Sequence, residues 1–240
     1  MAKYFLLHSP VVGPSTWKWV SEELQGMGHE VAILIISPPA TLRGWQGVVE
    51  EVVVQITGED NAIFVAHSGA GPLLPTIVDR SKTRGASMVF VDAGLPAIST
   101  DTPLMPEAFL KRLTAIAEDG VLPPWSEWFG SGVMASLIPD SVTRELIEIE
   151  LPRVPLKYFC ESIPPVWKWP AVQSGYVLLS EGYLDDAEEA RRRGWPVLEL
   201  FGDHLDLITN APGVALAIVQ AGGSTNAVGP VGVEPTTEGL

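Results

Sequence analysis

The sequence predicts an α/β protein, a mostly parallel doubly wound sheet with a helical lid inserted into it. Three observations predict it. Short continuous apolar runs, 62–66 and 87–91 among them, read as strands buried on both faces, the pattern of parallel sheets. Helix-length segments with apolar residues three and four apart separate these runs, as parallel pairing requires. From Leu95 to Ala171 the alternation gives way to Pro- and Trp-rich punctuation, which marks an insertion. Residues 1–96 and 172–220 are therefore expected to form the core, 97–171 the lid, and 221–240 a disordered tail.

Each element has its own signal. Lys3 to His8 reads as the first strand, followed by a loop from Ser9 to Pro14. A helix capped near Ser15 or Thr16 then presents Trp17, Val20, Leu24 and Met27 on one face and ends at Gly28. Val31 to Ile36 is the second strand, Pro38-Pro39 breaks it, and Trp45 to Ile56 is a second helix. The strand Ala62 to Ala66 runs into Gly69-Ala70-Gly71-Pro72, a helix start continued by Leu73, Leu74, Ile77 and Val78. Ser87 to Val91 is the next strand, stopped at Asp92-Ala93-Gly94. After the insertion come a strand at 176–179, a charged helix from Asp185 to Arg193, a strand from Pro196 to Phe201 and a helix near Val214 to Val219. From Ala221 onward Gly, Thr, Pro and Asn dominate without periodicity.

Composition narrows the function. The 240 residues are 46% apolar, enough for one domain with a substantial core. A formal net charge of −14 argues against nucleic acid and anionic membrane surfaces, because phosphate binding depends on clustered Lys and Arg. The single cysteine, Cys160, excludes an internal disulfide and lacks zinc-type spacing, so no metal or cofactor is expected. The opening Met-Ala-Lys-Tyr-Phe-Leu-Leu is too short and poorly flanked for a signal peptide, and no apolar run reaches membrane-spanning length. A soluble cytoplasmic protein is the expectation.

Ser68 is the candidate nucleophile. It ends an apolar strand and opens an apolar helix, a junction sharp enough to strain its backbone, so the residues two before and two after must be small. Ala66 and Ala70 meet that need, and Gly71 extends it. Here the chain resembles the α/β-hydrolase family, whose nucleophile elbow is usually Gly-x-Ser-x-Gly. Both flanking glycines are alanines in this sequence.

A serine hydroxyl at its ordinary pKa needs a histidine to take its proton and an acid to orient that histidine. Four histidines compete. His8 ends the first strand, His29 sits at a surface turn, His67 is expected to point away from the elbow, and His204 stands in the loop after the last strand. The resemblance implies the chain order Ser, acid, His with the histidine after the last strand, which Gly202-Asp203-His204 matches. Two acids compete, Asp92 preferred and Glu181 the alternative. Asp92 lies in Phe90-Val91-Asp92-Ala93-Gly94-Leu95-Pro96, similar to the segment where some haloalkane dehalogenases hold their acid. Glu181 follows the second-last strand, the commoner family position.

The resemblance also implies an oxyanion hole built from the Gly69 N–H and an N–H in the loop after the first strand. His8-Ser9-Pro10 puts a proline where the second donor belongs, so the role shifts to Val11 or to the Ser9 hydroxyl. In the lid, Trp125, Trp128 and Trp167, with Ser9 below them, are candidates for contact with a small apolar substrate. The expected function is hydrolysis of a small or medium, mostly apolar carboxylic ester through an acyl-enzyme. A lyase or thioesterase of the same fold, or a small-ligand binder without catalysis, is the alternative.

Overall fold

A computed structural model of the chain describes residues 1–38, 43–56 and 60–223. The break expected at Pro39 lies outside them, as does the tail expected over 221–240 from residue 224 on; Ala221, expected in that tail, instead ends the last helix. The core alternates strand and helix: β1 (Lys3–Leu7), α1 (Lys18–Gly26), β2 (Glu30–Leu34), α2 (Gly44–Val53), β3 (Ile63–His67), α3 (Leu74–Ser81) and β4 (Ser87–Val91). An inserted segment follows, with β5 (Thr102–Pro103), α4 (Glu107–Ile116), β6 (Val121–Leu122), α5 (Val133–Leu137), α6 (Ser141–Glu148), β7 (Val154–Pro155), α7 (Leu156–Phe159) and β8 (Ser162–Ile163). The core resumes with β9 (Gln173–Leu178), α8 (Leu184–Arg192), β10 (Val197–Glu199), α9 (Asp206–Thr209) and α10 (Ala211–Ala221).

Among the described residues six strands form one sheet in the order β10-β9-β4-β3-β1-β2, every pair parallel. The burial of each strand follows its sequence. Continuous apolar runs make β1, β3 and β4 almost wholly buried, whereas the edge strand β2 is only partly covered. Right-handed crossovers then fix which face each helix covers. The chain steps from β1 outward to β2 over α1, then reverses past β1 to β3 over α2, so α1 and α2 lie on opposite faces. Onward steps in that second direction put α3 and α8 with α2, and α10 packs back against α1. The reversal makes β1 and β3 the switch point, and in open parallel sheets the crevice beyond the carboxyl ends of such strands is where ligands bind.

The inserted segment adds no strand to this sheet. It holds two short antiparallel ribbons, β5 with β8 and β6 with β7, and a cluster of buried apolar side chains including Leu122, Trp128, Met134 and Val154. Two of its carboxylates reach the core. Glu150 accepts from the Ser15 N–H at 3.0 Å and the Ser15 hydroxyl at 2.7 Å, and Glu161 accepts from the Trp45 N–H at 3.0 Å in the first turn of α2. Each satisfies a helix-start donor that local sequence leaves open.

Some sequence expectations are corrected. Neither Ser15 nor Thr16 caps α1: Ser15 is taken by Glu150, and the Thr16 hydroxyl donates to the Gly13 carbonyl at 2.8 Å. Met27 falls beyond α1 and is largely exposed, because the helix stops at Gly26. The strand expected at 196–201 is cut to Val197–Glu199, and α10 outruns its expected span because Pro212 at its first turn sets the start earlier. Among the described residues no helix is long and apolar enough to cross a membrane.

Candidate active site

The sheet's carboxyl ends deliver the candidate residues to one place. β3 ends at His67, and Ser68 follows with φ of 56°, the left-handed region a β-bearing side chain enters only under constraint. The surroundings supply the constraint. Ala66 and Ala70 are fully buried on either side, and a Cβ on Gly71 would come within 2.3 Å of the Gly94 carbonyl oxygen, so only glycine lets the elbow lie against the end of β4.

Asp92 follows β4, also at positive φ, with its side chain wholly inaccessible. Its carboxylate has four donors. Oδ1 accepts from the Leu179 and Ser180 N–H groups, both at 2.9 Å, and Oδ2 accepts from the Ser180 hydroxyl at 2.5 Å and from His204 Nδ1–H at 2.7 Å. Burial alone would push this carboxyl up, but the His204 and Ser180 donors outweigh it and hold Asp92 below the usual carboxylate range. A charged Asp92 fixes the His204 tautomer: Nδ1 carries the proton, and Nε2, 3.0 Å from Ser68 Oγ, is left as an acceptor.

The structure thus joins Ser68, His204 and Asp92 in one hydrogen-bonded chain. Glu181 is not part of it: it is exposed at the first position of a 3₁₀ turn, and no hydrogen bond links it to His204. Ser9 is buried, and a Cβ on Gly69 would stand 3.1 Å from its hydroxyl, so the Ser9 hydroxyl abuts Gly69. Pro10 and Val11 form the adjoining turn, closed by the Val12 N–H on the Ser9 carbonyl at 3.1 Å. The Val11 N–H has no hydrogen-bond partner among the described residues.

The three tryptophans separate. The Trp125 ring lies 6.2 Å from the His204 ring and meets Phe129 edge-on at 5.6 Å. Trp128 is buried within the inserted segment, its indole N–H donating to the Pro123 carbonyl at 2.8 Å, which makes it a packing residue. Trp167 is 78% exposed on the loop before β9, and the structure does not bring it to the site. Aromatic character alone could not distinguish these three placements.

Sequence reasoning missed two neighbours. His67 does not simply point away: its Nε2–H donates to the His204 carbonyl at 3.0 Å, and its ring lies 4.5 Å from the His204 ring. Tyr183 places its hydroxyl 3.2 Å from Ser68 Oγ and stacks on the His204 ring at 5.2 Å and 12°. The available signal was an aromatic following an apolar strand by five residues, in Ser180-Glu181-Gly182-Tyr183, hidden by the charges around it.

Two buried histidines give the fold a pH dependence. Burial pushes His67 down to about 3, helped by nearby His204, and burial likewise lowers His8, whose Nε2 accepts from the Ile36 N–H at 3.1 Å. Folded pKa values below the ordinary 6.5 mean that this stabilisation is complete above 6.5 and lost as pH falls, because only the unfolded chain takes up the protons. The unfolding free energy from urea titration should fall from pH 7 toward pH 5, at up to about 1.4 kcal/mol per pH unit for each histidine. A flat profile would contradict the neutral assignment of both rings.

No protein-family model matches the chain, and no curated protein matches it. Solved structures do. An extracellular α/β-hydrolase from a Paenibacillus species superposes with a TM-score of 0.73 at 18% identity, over 92% of this chain and 99% of that one. Tomato methylketone synthase I gives 0.72 at 13% identity over 92% and 97%, and polyneuridine aldehyde esterase 0.69 at 14% over 92% and 99%. The chain has the α/β-hydrolase fold.

Proposed function

We propose that this protein is a serine hydrolase that cleaves a small or medium, mostly apolar carboxylic ester through an acyl-enzyme. Similar folds carry the names of both an esterase and a methylketone synthase, so the reading rests on side chains and not on the fold. The observation that carries it is the unbroken hydrogen-bonded path from Asp92 through His204 to a strained Ser68. In this reading Ser68 Oγ attacks the acyl carbon while His204 Nε2 takes its proton. Asp92, held by three further donors, steadies the imidazolium that results. The proton passes to the departing alkoxy oxygen, and water repeats the sequence to release the acid.

The oxyanion needs donors that point at the developing charge. Gly69 N–H is one. Pro10 supplies none, so the adjoining Ser9 hydroxyl is the second, with the Val11 N–H as the other open donor of that turn. The missing N–H also favours the second reading, a binder with an unreactive serine. A panel of p-nitrophenyl esters with acyl chains of two to eight carbons separates the two readings. The hydrolase gives a burst of nitrophenol followed by steady turnover, and binding without either contradicts it.

Residues 97–171 are proposed as the lid over this site. Trp125 stands beside His204 from that segment with Phe129 packed on its ring, an apolar lining suited to an apolar acyl or alkyl group. The segment holds no strand of the main sheet and is tied to the core by Glu150 and Glu161. Its amides should exchange faster with deuterium than those of β1, β3 and β4. Equal protection in both regions would count against a separately moving lid.

A further inference from the structure

Ser68 Oγ has two side-chain partners among the described residues, His204 Nε2 at 3.0 Å and the Tyr183 hydroxyl at 3.2 Å. The proton assignments leave one arrangement. Asp92 is charged and accepts from His204 Nδ1–H, so Nε2 must accept, and Ser68 O–H must donate to it. The Ser68 oxygen is then free only to accept, which makes Tyr183 the donor. Burial of the phenol pushes its pKa up to about 12, with nearby Asp92 and Asp186 adding to the rise and Ser68 opposing it, so the donor persists through neutral pH.

The same loop builds both contacts. Ser180 supplies its N–H and hydroxyl to Asp92, and the 3₁₀ turn that begins at Glu181 carries Tyr183 back over His204. The Tyr183 ring is parallel to the imidazole, 12° between planes, so its hydroxyl reaches Ser68 from the histidine side of the site. Gly69 and the Ser9 hydroxyl lie together as the candidate oxyanion donors. An ester's leaving oxygen must approach His204 Nε2 to receive its proton, and that puts it within reach of a hydroxyl stacked beside the same ring.

We infer that Tyr183 is a further catalytic residue of the proposed hydrolase, and this rests on that reading: its O–H moves from Ser68 Oγ to the alkoxy oxygen of the bound ester as the acyl-enzyme forms. When Oγ attacks, the lone pair that accepted from Tyr183 becomes the bond to the acyl carbon. The carbonyl π pair moves onto the carbonyl oxygen, and the Ser68 proton goes to His204 Nε2. As that pair returns, the bond from acyl carbon to alkoxy oxygen breaks, and Nε2 delivers its proton to the departing oxygen. Tyr183 keeps its own proton throughout and stabilises the charge gathering on the leaving oxygen. In deacylation the attacking water occupies the same position.

A donor aimed at the leaving oxygen matters only where that oxygen leaves with difficulty. Two esters with the same acyl group test this, one with an ethyl and one with a p-nitrophenyl leaving group. For Tyr183→Phe, kcat/KM on the ethyl ester should fall roughly 10- to 100-fold, and on the p-nitrophenyl ester less than about threefold. Phe keeps the ring that stacks on His204. The ratio of the two rates on one preparation is unaffected by any loss of folded protein, which lowers both alike. An unchanged ratio overturns the role given to Tyr183 while leaving the hydrolase intact. A wild-type protein that turns over neither ester overturns the hydrolase reading and this inference with it.

Discussion

Ser68→Ala and His204→Ala are each expected to abolish ester hydrolysis while the protein stays folded. Folding should survive because alanine fits the Ser68 backbone as well as serine does, and because Asp92 keeps the Leu179 and Ser180 donors when His204 is removed. Each variant should lose on the order of 10⁶ in kcat if the residues act as one proton-transfer unit, and the double variant should lose little more. Circular dichroism and thermal melts check the fold, and steady-state rates check the activity. Independent, additive losses in the double variant would contradict the shared role.

The second large effect belongs to the acid. Asp92→Asn should lower kcat about 1,000- to 10,000-fold, the scale seen when a triad carboxylate is neutralised with geometry retained. The physical reason lies in the proton count. An amide that accepts from the Leu179 and Ser180 N–H groups through its oxygen turns its NH₂ toward His204, whose Nδ1 must then accept. Nε2 becomes the protonated nitrogen and can no longer take the Ser68 proton. Glu181→Gln should change kcat less than about tenfold, because that residue is exposed and makes no hydrogen bond with His204. The reverse ranking would move the acid to Glu181.

The residues Ser68 and His204 were legible because each stands at a topological landmark, the end of a buried strand and the loop after the last one. Sequence favoured Asp92, set between an apolar strand and Ala93-Gly94, over Glu181 before a charged helix, but both follow strands of the same sheet and either could reach the histidine. What separates them is the Ser180 turn, which folds its donors onto Asp92 and turns Glu181 outward, a three-dimensional fact with no local signature. Tyr183 escaped notice for the same reason, lying among charged residues that read as a solvated helix start. Parallel pairing was implied by the alternation of strands and helices, but the docking of the inserted segment through Glu150 and Glu161 joins positions 135 and 116 residues apart. Periodicity cannot report contacts of that range, and Trp167 shows the converse, an aromatic that composition placed in a pocket and the fold leaves in solvent.

The central claim is that Ser68 is an activated nucleophile, and covalent labelling by a fluorophosphonate tests it most directly. The probe needs no knowledge of the natural ester, since it reacts with a serine whose proton a neighbouring histidine removes. Folded wild-type protein should take up one phosphonyl group, mapped by peptide mass spectrometry to Ser68, and both Ser68→Ala and His204→Ala should remain unlabelled. Folded wild-type protein that takes up no label, or that is labelled elsewhere, would contradict the account.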